Sequence, residues 1–285
     1  MARDIRKVGV VGLGTMGAGI AQVAVQGGFD VVGREVTEEL AEAARAKIEH
    51  FLGRAVEKGR MASEDRDAAL ARLRTTTDVA DLAESDLVIE AIVEDLDAKR
   101  ELFTELDRIC APDAILATNT SAISVSEIAA ATQRPERVLG MHFFNPAPLL
   151  PLVEIVRANR TADDVVEAAQ AWAERAGKTS VLCNDTPGFI VNRILIPLLN
   201  DCVRTLDEAG ITPEALDTAM TNGAGWPMGP CALVDLVGID IHVHAAEALH
   251  ARLPDDRVAP PERLRRMVAE GKLGRKSGEG FYRYE

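Results

Sequence analysis

Short apolar runs alternate with longer stretches of helical periodicity along the first 185 residues. The runs are strand candidates, and the stretches between them are helix candidates because apolar side chains recur there every three or four positions. The predicted strands are Val8–Val11, Val31–Gly33, Leu87–Ile89, Ile115–Ala117 and Val138–Met141, and the predicted helices are Met16–Gln26, Glu38–Lys58, Leu96–Ile109 and Val125–Ala131. The runs lack alternation, so helices should cover both faces of the sheet. This pattern predicts an α/β fold with a doubly wound sheet.

Two further strand candidates, Leu152–Val156 and Ser180–Leu182, flank a predicted helix over Ala162–Ala176. Beyond Asp185 the pattern changes, and apolar positions recur at helical spacing. The helices predicted there are Phe189–Ala209, Pro213–Asn222, Cys231–Arg252 and Pro261–Glu270. We therefore expect two domains, residues 1–185 with the doubly wound sheet and an all-helical domain over residues 186–285.

The composition is that of a globular protein with an acidic net charge. Of 285 residues, 47% are hydrophobic and 27% charged, and no apolar run approaches the ~20 residues of a membrane span. A net charge of -13 repels phosphates and argues against a nucleic-acid partner. The first residues lack the apolar stretch of a signal peptide, and the four cysteines form no CxxC pair and no metal spacing. We expect a cytoplasmic protein with reduced thiols and no metal.

A glycine-rich segment, GLGTMG, starts at Gly12, after the first predicted strand and at the opening of the first predicted helix. In this context the pattern is typical of dinucleotide binding. Gly12 permits a tight turn, Gly14 lets the backbone approach a diphosphate, and Gly17 lets helix pack on strand. The helix N-terminus, at Thr15 and Met16, then offers free amide groups to the phosphates.

The acidic residue expected in such a site is Glu35, which follows the second predicted strand, 18 residues after Gly17. A carboxylate there accepts hydrogen bonds from the adenosine ribose and repels a 2′-phosphate, which favours NAD over NADP. The neighbouring Arg34 leaves two alternatives open, since it could stack on adenine or partly tolerate a 2′-phosphate.

Two polar residues interrupt apolar segments farther along the chain. His142 ends one predicted strand, and Glu154 lies inside the next. If the intervening segment connects antiparallel neighbours, the two fall opposite each other, and the pairing satisfies both buried groups. A carboxylate partner also fixes the imidazole tautomer and stabilises the imidazolium. A hydride-transfer enzyme needs such a base to remove a hydroxyl proton, although a purely structural pair is the alternative.

Two further polar residues are candidates for contacting a substrate near this pair. Ser121 follows the predicted strand Ile115–Ala117, and Asn192 lies in an otherwise apolar predicted helix. Both side chains could hold a substrate hydroxyl or carbonyl, or could serve as a cap or a satisfied core group.

Taken together, these motifs resemble the 3-hydroxyacyl-CoA dehydrogenases from about Ile5 to Tyr282. The resemblance includes the glycine-rich segment, Asn119-Thr120-Ser121, HFFNP from His142, DTPGFIVNR from Asp185, GAGWPMGP from Gly223 and GRKSGEGFY from Gly274. The chain is most similar to the short, single-function bacterial 3-hydroxybutyryl-CoA dehydrogenases.

The resemblance implies an NAD-dependent, reversible oxidation of an L-3-hydroxyacyl-CoA to the 3-oxoacyl-CoA. It implies His142 as the catalytic base, Glu154 as its partner, and Ser121 and Asn192 near the reacting carbon. The contacts implied on the nicotinamide side of the cofactor are Ala91, Glu94, Lys99, Ser121 and Asn145. It also implies a homodimer formed through the helical domain.

The expected coenzyme A contacts depart from the family pattern. Because the net charge is negative, the phosphates of coenzyme A need local cations, and Arg54, Lys58 and Arg60 are the candidates. The resemblance places Gly53 where the family often has serine, and Arg60 where it has lysine. Pro151 and Thr221 also replace lysines that are common in the family.

Two other functions fit parts of this pattern. A related hydroxy-acid dehydrogenase, such as an L-gulonate 3-dehydrogenase or a lambda-crystallin-like protein, would lack the coenzyme A preference. A non-catalytic NAD-binding protein would not need Ser121, His142, Glu154 and Asn192 together.

Overall fold

A computed structural model describes residues 4–284, and the chain forms two compact units. The first unit ends at Phe189 and the second begins at Ile190. This division lies four residues beyond Asp185, the boundary expected from the sequence.

The first unit contains, within residues 4–189, an eight-stranded sheet of order β3-β2-β1-β4-β5-β6-β7-β8. The strands are β1 Lys7–Val11, β2 Asp30–Arg34, β3 Leu73–Thr76, β4 Leu87–Glu90, β5 Ile115–Thr118, β6 Val138–Phe143, β7 Leu152–Arg157 and β8 Thr179–Asn184. Neighbours from β3 to β6 are parallel, β7 is antiparallel to β6, and β8 is parallel to β7. The chain order reverses on either side of β1, and doubly wound sheets bind ligands at the carboxyl ends of such strands.

Helices pack on both faces of this sheet, which confirms the doubly wound α/β fold. They are α1 Thr15–Gln26, α2 Glu38–Glu57, α3 Ser63–Ala71, α4 Leu96–Ile109, α5 Val125–Ala129 and α6 Asp163–Arg175. Consecutive strand residues contribute to two different apolar clusters. On β4, for example, Leu87 and Ile89 belong to one cluster and Val88 to the other. Each face of the sheet therefore has its own core.

The sequence prediction omitted α3 and β3. In β3 only Leu73 is buried, and in α3 only Ala69, so neither element carries the apolar periodicity from which elements are predicted.

The second unit is helical, with α7 Val191–Ala209, α8 Pro213–Gly223, α9 Pro230–Val237, α10 Ile239–Arg252 and α11 Glu262–Ala269. The single helix predicted over Cys231–Arg252 was wrong, because the chain breaks at Gly238, whose φ is +102°. The predicted start of the preceding long helix at Phe189 was also early, since Phe189 itself has a positive φ.

Two aspartates, the buried Asp235 and the half-buried Asp217, organise the end of the second unit. Asp235 accepts hydrogen bonds from the amides of Phe281 and Tyr282 and from the Tyr284 hydroxyl. Asp217 accepts the Tyr282 hydroxyl proton and two amides at the start of α9. None of the helices within residues 4–284 is both long and apolar enough to span a bilayer.

Candidate active site

The glycine-rich loop between β1 and α1 has the geometry of a diphosphate cradle. Gly12 has a φ of +82°, which favours glycine, and a Cβ at Gly17 would lie 1.7 Å from the carbonyl oxygen of Gly12. A Cβ at Gly14 would meet no heavy atom within 4 Å, so the space above it is open. No side chain caps α1, which leaves the first-turn amides, including those of Thr15 and Met16, for an anion. The loop therefore fits the diphosphate of NAD.

The Glu35 carboxylate lies against this loop. Its Oε1 accepts the Leu13 amide at 2.6 Å and its Oε2 accepts the Val36 amide at 3.0 Å. The neighbouring Arg34 donates through Nε to the Thr77 carbonyl at 3.3 Å. Gly12, Gly14, Arg34, Glu35 and Ala91 are among the residues that line a cleft of about 980 Å³, which we call the glycine-loop cleft. An acidic group fixed there by backbone amides fits an adenosine ribose.

A buried ion pair lies where β4 ends. Lys99 Nζ is 2.5 Å from Glu90 Oε1 and 3.4 Å from Glu94 Oε2, and only 1% of the lysine side chain is exposed. Glu90 also accepts the Thr118 hydroxyl proton and the Ile92 amide. This burial does not support Lys99 as a direct cofactor contact; in this conformation its ammonium group orients Glu94.

Glu94 in turn holds the loop that carries Ser121. Its Oε1 accepts the Thr120 hydroxyl at 2.5 Å and the amides of Ser121 and Ala122 at 2.9 and 3.0 Å. Burial alone would raise the pKa of Glu94, but the Lys99 charge and these hydrogen bonds outweigh it, so the pKa is lowered. The carboxylate therefore stays ionised and fixes the position of Ser121.

His142 and Glu154 form the buried polar pair expected from the sequence. The antiparallel register of β6 and β7 pairs them directly, and His142 Nδ1 lies 2.6 Å from Glu154 Oε2. The imidazole is 7% exposed and the carboxylate 0%. Within residues 4–189, His142 Nε2 makes no hydrogen bond. The arrangement presents one ring nitrogen for proton transfer while the other is held by a carboxylate.

A second cleft, of about 650 Å³, lies between α2 and the segment Asn145–Leu149. We call it the basic cleft, because its cationic lining residues are Lys47, Arg54, Lys58 and Arg60. His50 and Phe51 also line it, and no Asp or Glu does among the residues that the structure describes. It is thus a local positive site on an acidic protein, with an apolar wall.

The two clefts flank the glycine loop, since Gly12 and Gly14 line the first and Thr15, Ala18 and Gly19 line the second. Asn145, predicted on the nicotinamide side, lines the basic cleft. Gly53 is not among the lining residues, and a Cβ there would meet open space.

Asn192 is the second residue of α7 and is half-buried, in the second unit.

The sequence interpretation missed Glu90, Lys47 and His50. A carboxylate at the end of the apolar run LVIE, with a lysine nine positions later, was a usable signal for Glu90, because a buried carboxylate needs a cation.

Comparison with known proteins identifies a family over almost the whole chain. Residues 7–186 match the family model described as 3-hydroxyacyl-CoA dehydrogenase, NAD binding domain, and residues 188–284 match that of the C-terminal domain. A probable 3-hydroxybutyryl-CoA dehydrogenase of Deinococcus radiodurans is 46% identical over 278 residues, which are 98% of this chain and 100% of that protein.

Solved structures give the same result. FadB2 of Mycobacterium tuberculosis superposes with a TM-score of 0.96 at 45% identity, covering 99% of this chain and 100% of the other. The (S)-3-hydroxybutyryl-CoA dehydrogenase PaaH1 of Ralstonia eutropha does so with a TM-score of 0.94 at 39% identity, with the same coverage. With both family models matched in order and an NAD-binding fold around a buried His–Glu pair, this chain belongs to the 3-hydroxyacyl-CoA dehydrogenase family.

Proposed function

We propose that the protein catalyses the NAD-dependent, reversible oxidation of an L-3-hydroxyacyl-CoA to the 3-oxoacyl-CoA. The observation that carries the proposal is the 2.6 Å contact of His142 with Glu154, buried in an NAD-binding fold. The names of the relatives from Deinococcus radiodurans and Ralstonia eutropha support a short-chain substrate, 3-hydroxybutyryl-CoA.

In the oxidation direction, neutral His142 accepts the proton of the substrate hydroxyl at Nε2. Glu154 is the acceptor for Nδ1–H, so it holds the ring in one tautomer and stabilises the imidazolium that forms. Bound NAD supplies the acceptor for the hydrogen and two electrons lost from C3. In the reduction direction the imidazolium returns its proton to the substrate oxygen.

Ser121 and Asn192 are proposed to bind the substrate close to the reacting carbon. The Ser121 position is supported by the Glu94 carboxylate, which binds the amides of Ser121 and Ala122. A hydroxyl and an amide are the groups that can hold the substrate oxygens in either oxidation state.

For the cofactor, we propose that the amides of Gly12, Gly14, Thr15, Met16 and Gly17 bind the diphosphate and that Glu35 binds the ribose. The nicotinamide side would be contacted by Ala91, Glu94, Ser121 and Asn145, with Lys99 acting through Glu94. The Glu35 carboxylate beside the loop supports NAD over NADP, because it repels a 2′-phosphate.

Coenzyme A is proposed to occupy the basic cleft, with Arg54 and Arg60 among its phosphate contacts. The support is a lining that carries four cations and, among residues 4–284, no carboxylate, in a protein of net charge -13. Cytoplasmic localisation is supported by the four unpaired cysteines. Assembly as a homodimer is supported by the exposed apolar residues of the second unit.

The test is the loss of NADH absorbance with acetoacetyl-CoA as substrate, repeated with NADPH. We expect the higher kcat/KM with NADH, and greater activity with the CoA thioester than with free acetoacetate or L-gulonate. Activity confined to a free hydroxy acid or oxo acid would contradict the coenzyme A assignment. Absence of activity with every substrate, while NADH still binds, would instead indicate a non-catalytic protein.

A further inference from the structure

The phenyl ring of Phe189 packs against the imidazole of His142. Their centroids are 5.5 Å apart at an interplanar angle of 58°, and the Phe144 ring contacts the same imidazole at 4.6 Å and 56°. Phe189 is 4% exposed and belongs to the apolar cluster that includes Val156. The imidazole is therefore in contact with two aromatic rings as well as with Glu154.

The backbone at Phe189 is strained. Its φ is +49°, and within residues 4–284 no other residue apart from glycines has a positive φ. This left-handed region is one that glycine adopts readily and a bulky side chain rarely adopts. The preceding Gly188 also has a positive φ, +75°, but glycine has no Cβ, so the backbone is not strained there. A phenyl group at a position that favours glycine suggests that the ring itself is needed there.

The hydrogen bond to Glu154 does not by itself fix the plane of the imidazole. It restrains rotation about χ2 at one edge of the ring only, and the angular tolerance of a single hydrogen bond leaves part of this rotation, whose distribution is broad in histidine. Such rotation moves Nε2, the nitrogen that takes the proton. General-base transfer depends on that nitrogen being held close to its working geometry. Contacts from phenyl rings restrict the rotation that the hydrogen bond allows.

We propose that Phe189 is a positioning residue, whose ring fixes the plane of the His142 imidazole for proton transfer. This inference rests on the proposed dehydrogenase function, in which His142 is the base. Phe189 acts through His142, so its loss should lower the rate of the chemical step and leave the binding of both substrates intact.

The test compares Phe189→Leu with Phe103→Leu in the full-length protein. Phe103 is a matched control, because it is fully buried in the same apolar cluster and makes no ring contact with His142. For Phe189→Leu we expect kcat to fall on the order of 10-fold or more, with KM for NADH and acetoacetyl-CoA within about twofold of wild type. Phe103→Leu should lower the melting temperature but keep kcat near wild type. Phe189→Met provides the same comparison if the leucine variant does not fold.

A second pair of variants separates the ring from the backbone strain. Phe189→Ala removes the ring but keeps a Cβ at positive φ, whereas Phe189→Gly removes both. Both should lose kcat equally, and the glycine variant should melt about 2–4 °C above the alanine variant. That order is the reverse of the usual one for glycine and alanine.

The outcomes distinguish a failure of the positioning role of Phe189 from a failure of the proposed function. Wild-type kcat in Phe189→Leu, or a raised KM with unchanged kcat, would overturn the positioning role while leaving the proposed function intact. Equal losses of kcat in the Phe189 and Phe103 variants would also overturn it. Wild-type protein without activity on acetoacetyl-CoA would overturn the proposed function and this inference together.

Discussion

At the residue scale, four charged or titratable groups of the site, Glu90, Lys99, His142 and Glu154, are buried, and each is held by a partner. His142 binds Glu154, and Lys99 lies between Glu90 and Glu94. A buried charge without a partner is costly, so removing one member of a pair affects the other. We therefore expect the effects of substitutions at two partner residues to be coupled.

The first prediction concerns His142 and Glu154. His142→Gln keeps polarity but removes the base, so kcat should fall by about 10²–10⁴-fold, while NADH affinity measured by fluorescence stays near wild type. Glu154→Gln keeps a hydrogen-bonding group but deletes the charge that stabilises the imidazolium, and should also lower kcat. In the double variant the losses should be strongly non-additive, because the two residues act as one unit.

Steady-state kinetics of the four proteins in this cycle give the measurement. A double-variant loss equal to the product of the single losses would mean that the residues act independently. His142 would then need another orienting partner.

The pairing of His142 with Glu154 could be predicted from sequence because strand register is set by the apolar pattern. Two polar residues in neighbouring apolar segments have few other ways to be satisfied. The Lys99 environment could not be predicted in the same way. Its ammonium group is enclosed by carboxylates from the end of β4 and the loop after it, and the spacing along the chain does not show that three-way contact.

At the element scale, α2 brings together the cations of the basic cleft. Lys47 and Arg54 on α2, and Lys58 at its C-cap, recur at helical spacing, so they lie on one side of the helix, and the cleft borders that side. Arg60 follows the end of the helix and lines the same cleft. The second prediction follows from this arrangement.

Arg60→Ala should raise KM for acetoacetyl-CoA about 2- to 5-fold, the range for an exposed ionic contact, and leave kcat within about twofold. The contact would be made equally in the ground and transition states. Its effect should shrink at high salt, because salt screens exposed charges. Arg66→Ala is the control, since Arg66 lies on α3 and lines neither cleft. A loss of kcat at constant KM would contradict a phosphate anchor at Arg60.

The helix α10 carries a buried histidine outside the site. His242 Nε2 donates to Asn200 Oδ1 at 2.8 Å, and Asn200 Nδ2 donates to the carbonyls of Arg257 and Val258. Burial lowers the pKa of His242 to about 4, from 6.5. Between these values the unfolded chain binds a proton that the folded chain does not. His242 therefore makes a contribution to the free energy of unfolding that is fully present above pH 6.5 and is lost as the pH falls towards 4.

The third prediction is that His242 accounts for about 3 kcal/mol of this acid-dependent loss. His242→Gln keeps a donor for Asn200 but does not titrate, so its free energy of unfolding should fall less steeply than that of wild type. Urea unfolding at several pH values between 7 and 4 gives both slopes. Identical slopes would show that His242 does not titrate as a buried group.

Elements were predictable from sequence where they bury continuous or regularly spaced residues, as the strands β1 and β6 and the helix α1 do. β3 has a single buried side chain, so its sequence carries no apolar pattern, and the strand is defined by its backbone pairing with β2. The break between α9 and α10 is set by one glycine, Gly238, within an otherwise helical pattern. Such breaks depend on backbone conformation, which apolar spacing does not report.

At the scale of the whole molecule, several helices of the second unit expose large apolar side chains to solvent. Ile194 on α7, Leu236 and Val237 on α9 and Ile241 on α10 are all exposed. Leu236 also lines an apolar groove of about 510 Å³ with Leu195, Leu198, Trp226, Pro227, Met228 and Leu233. Contiguous apolar surface of this kind is typical of a protein–protein interface.

The last prediction is that the protein is a homodimer at micromolar concentration and that Leu236→Glu converts it to monomer. In a two-fold symmetric dimer the same patch serves both subunits, so one substitution introduces two buried charges. Leu40→Glu is the control, because Leu40 lies on α2 of the first unit and is 49% exposed, against 48% for Leu236. Light scattering should give a dimer for wild type and Leu40→Glu, and a monomer for Leu236→Glu. A monomeric wild type would contradict the dimer, and a Leu236→Glu variant that stays dimeric would exclude this groove from the interface.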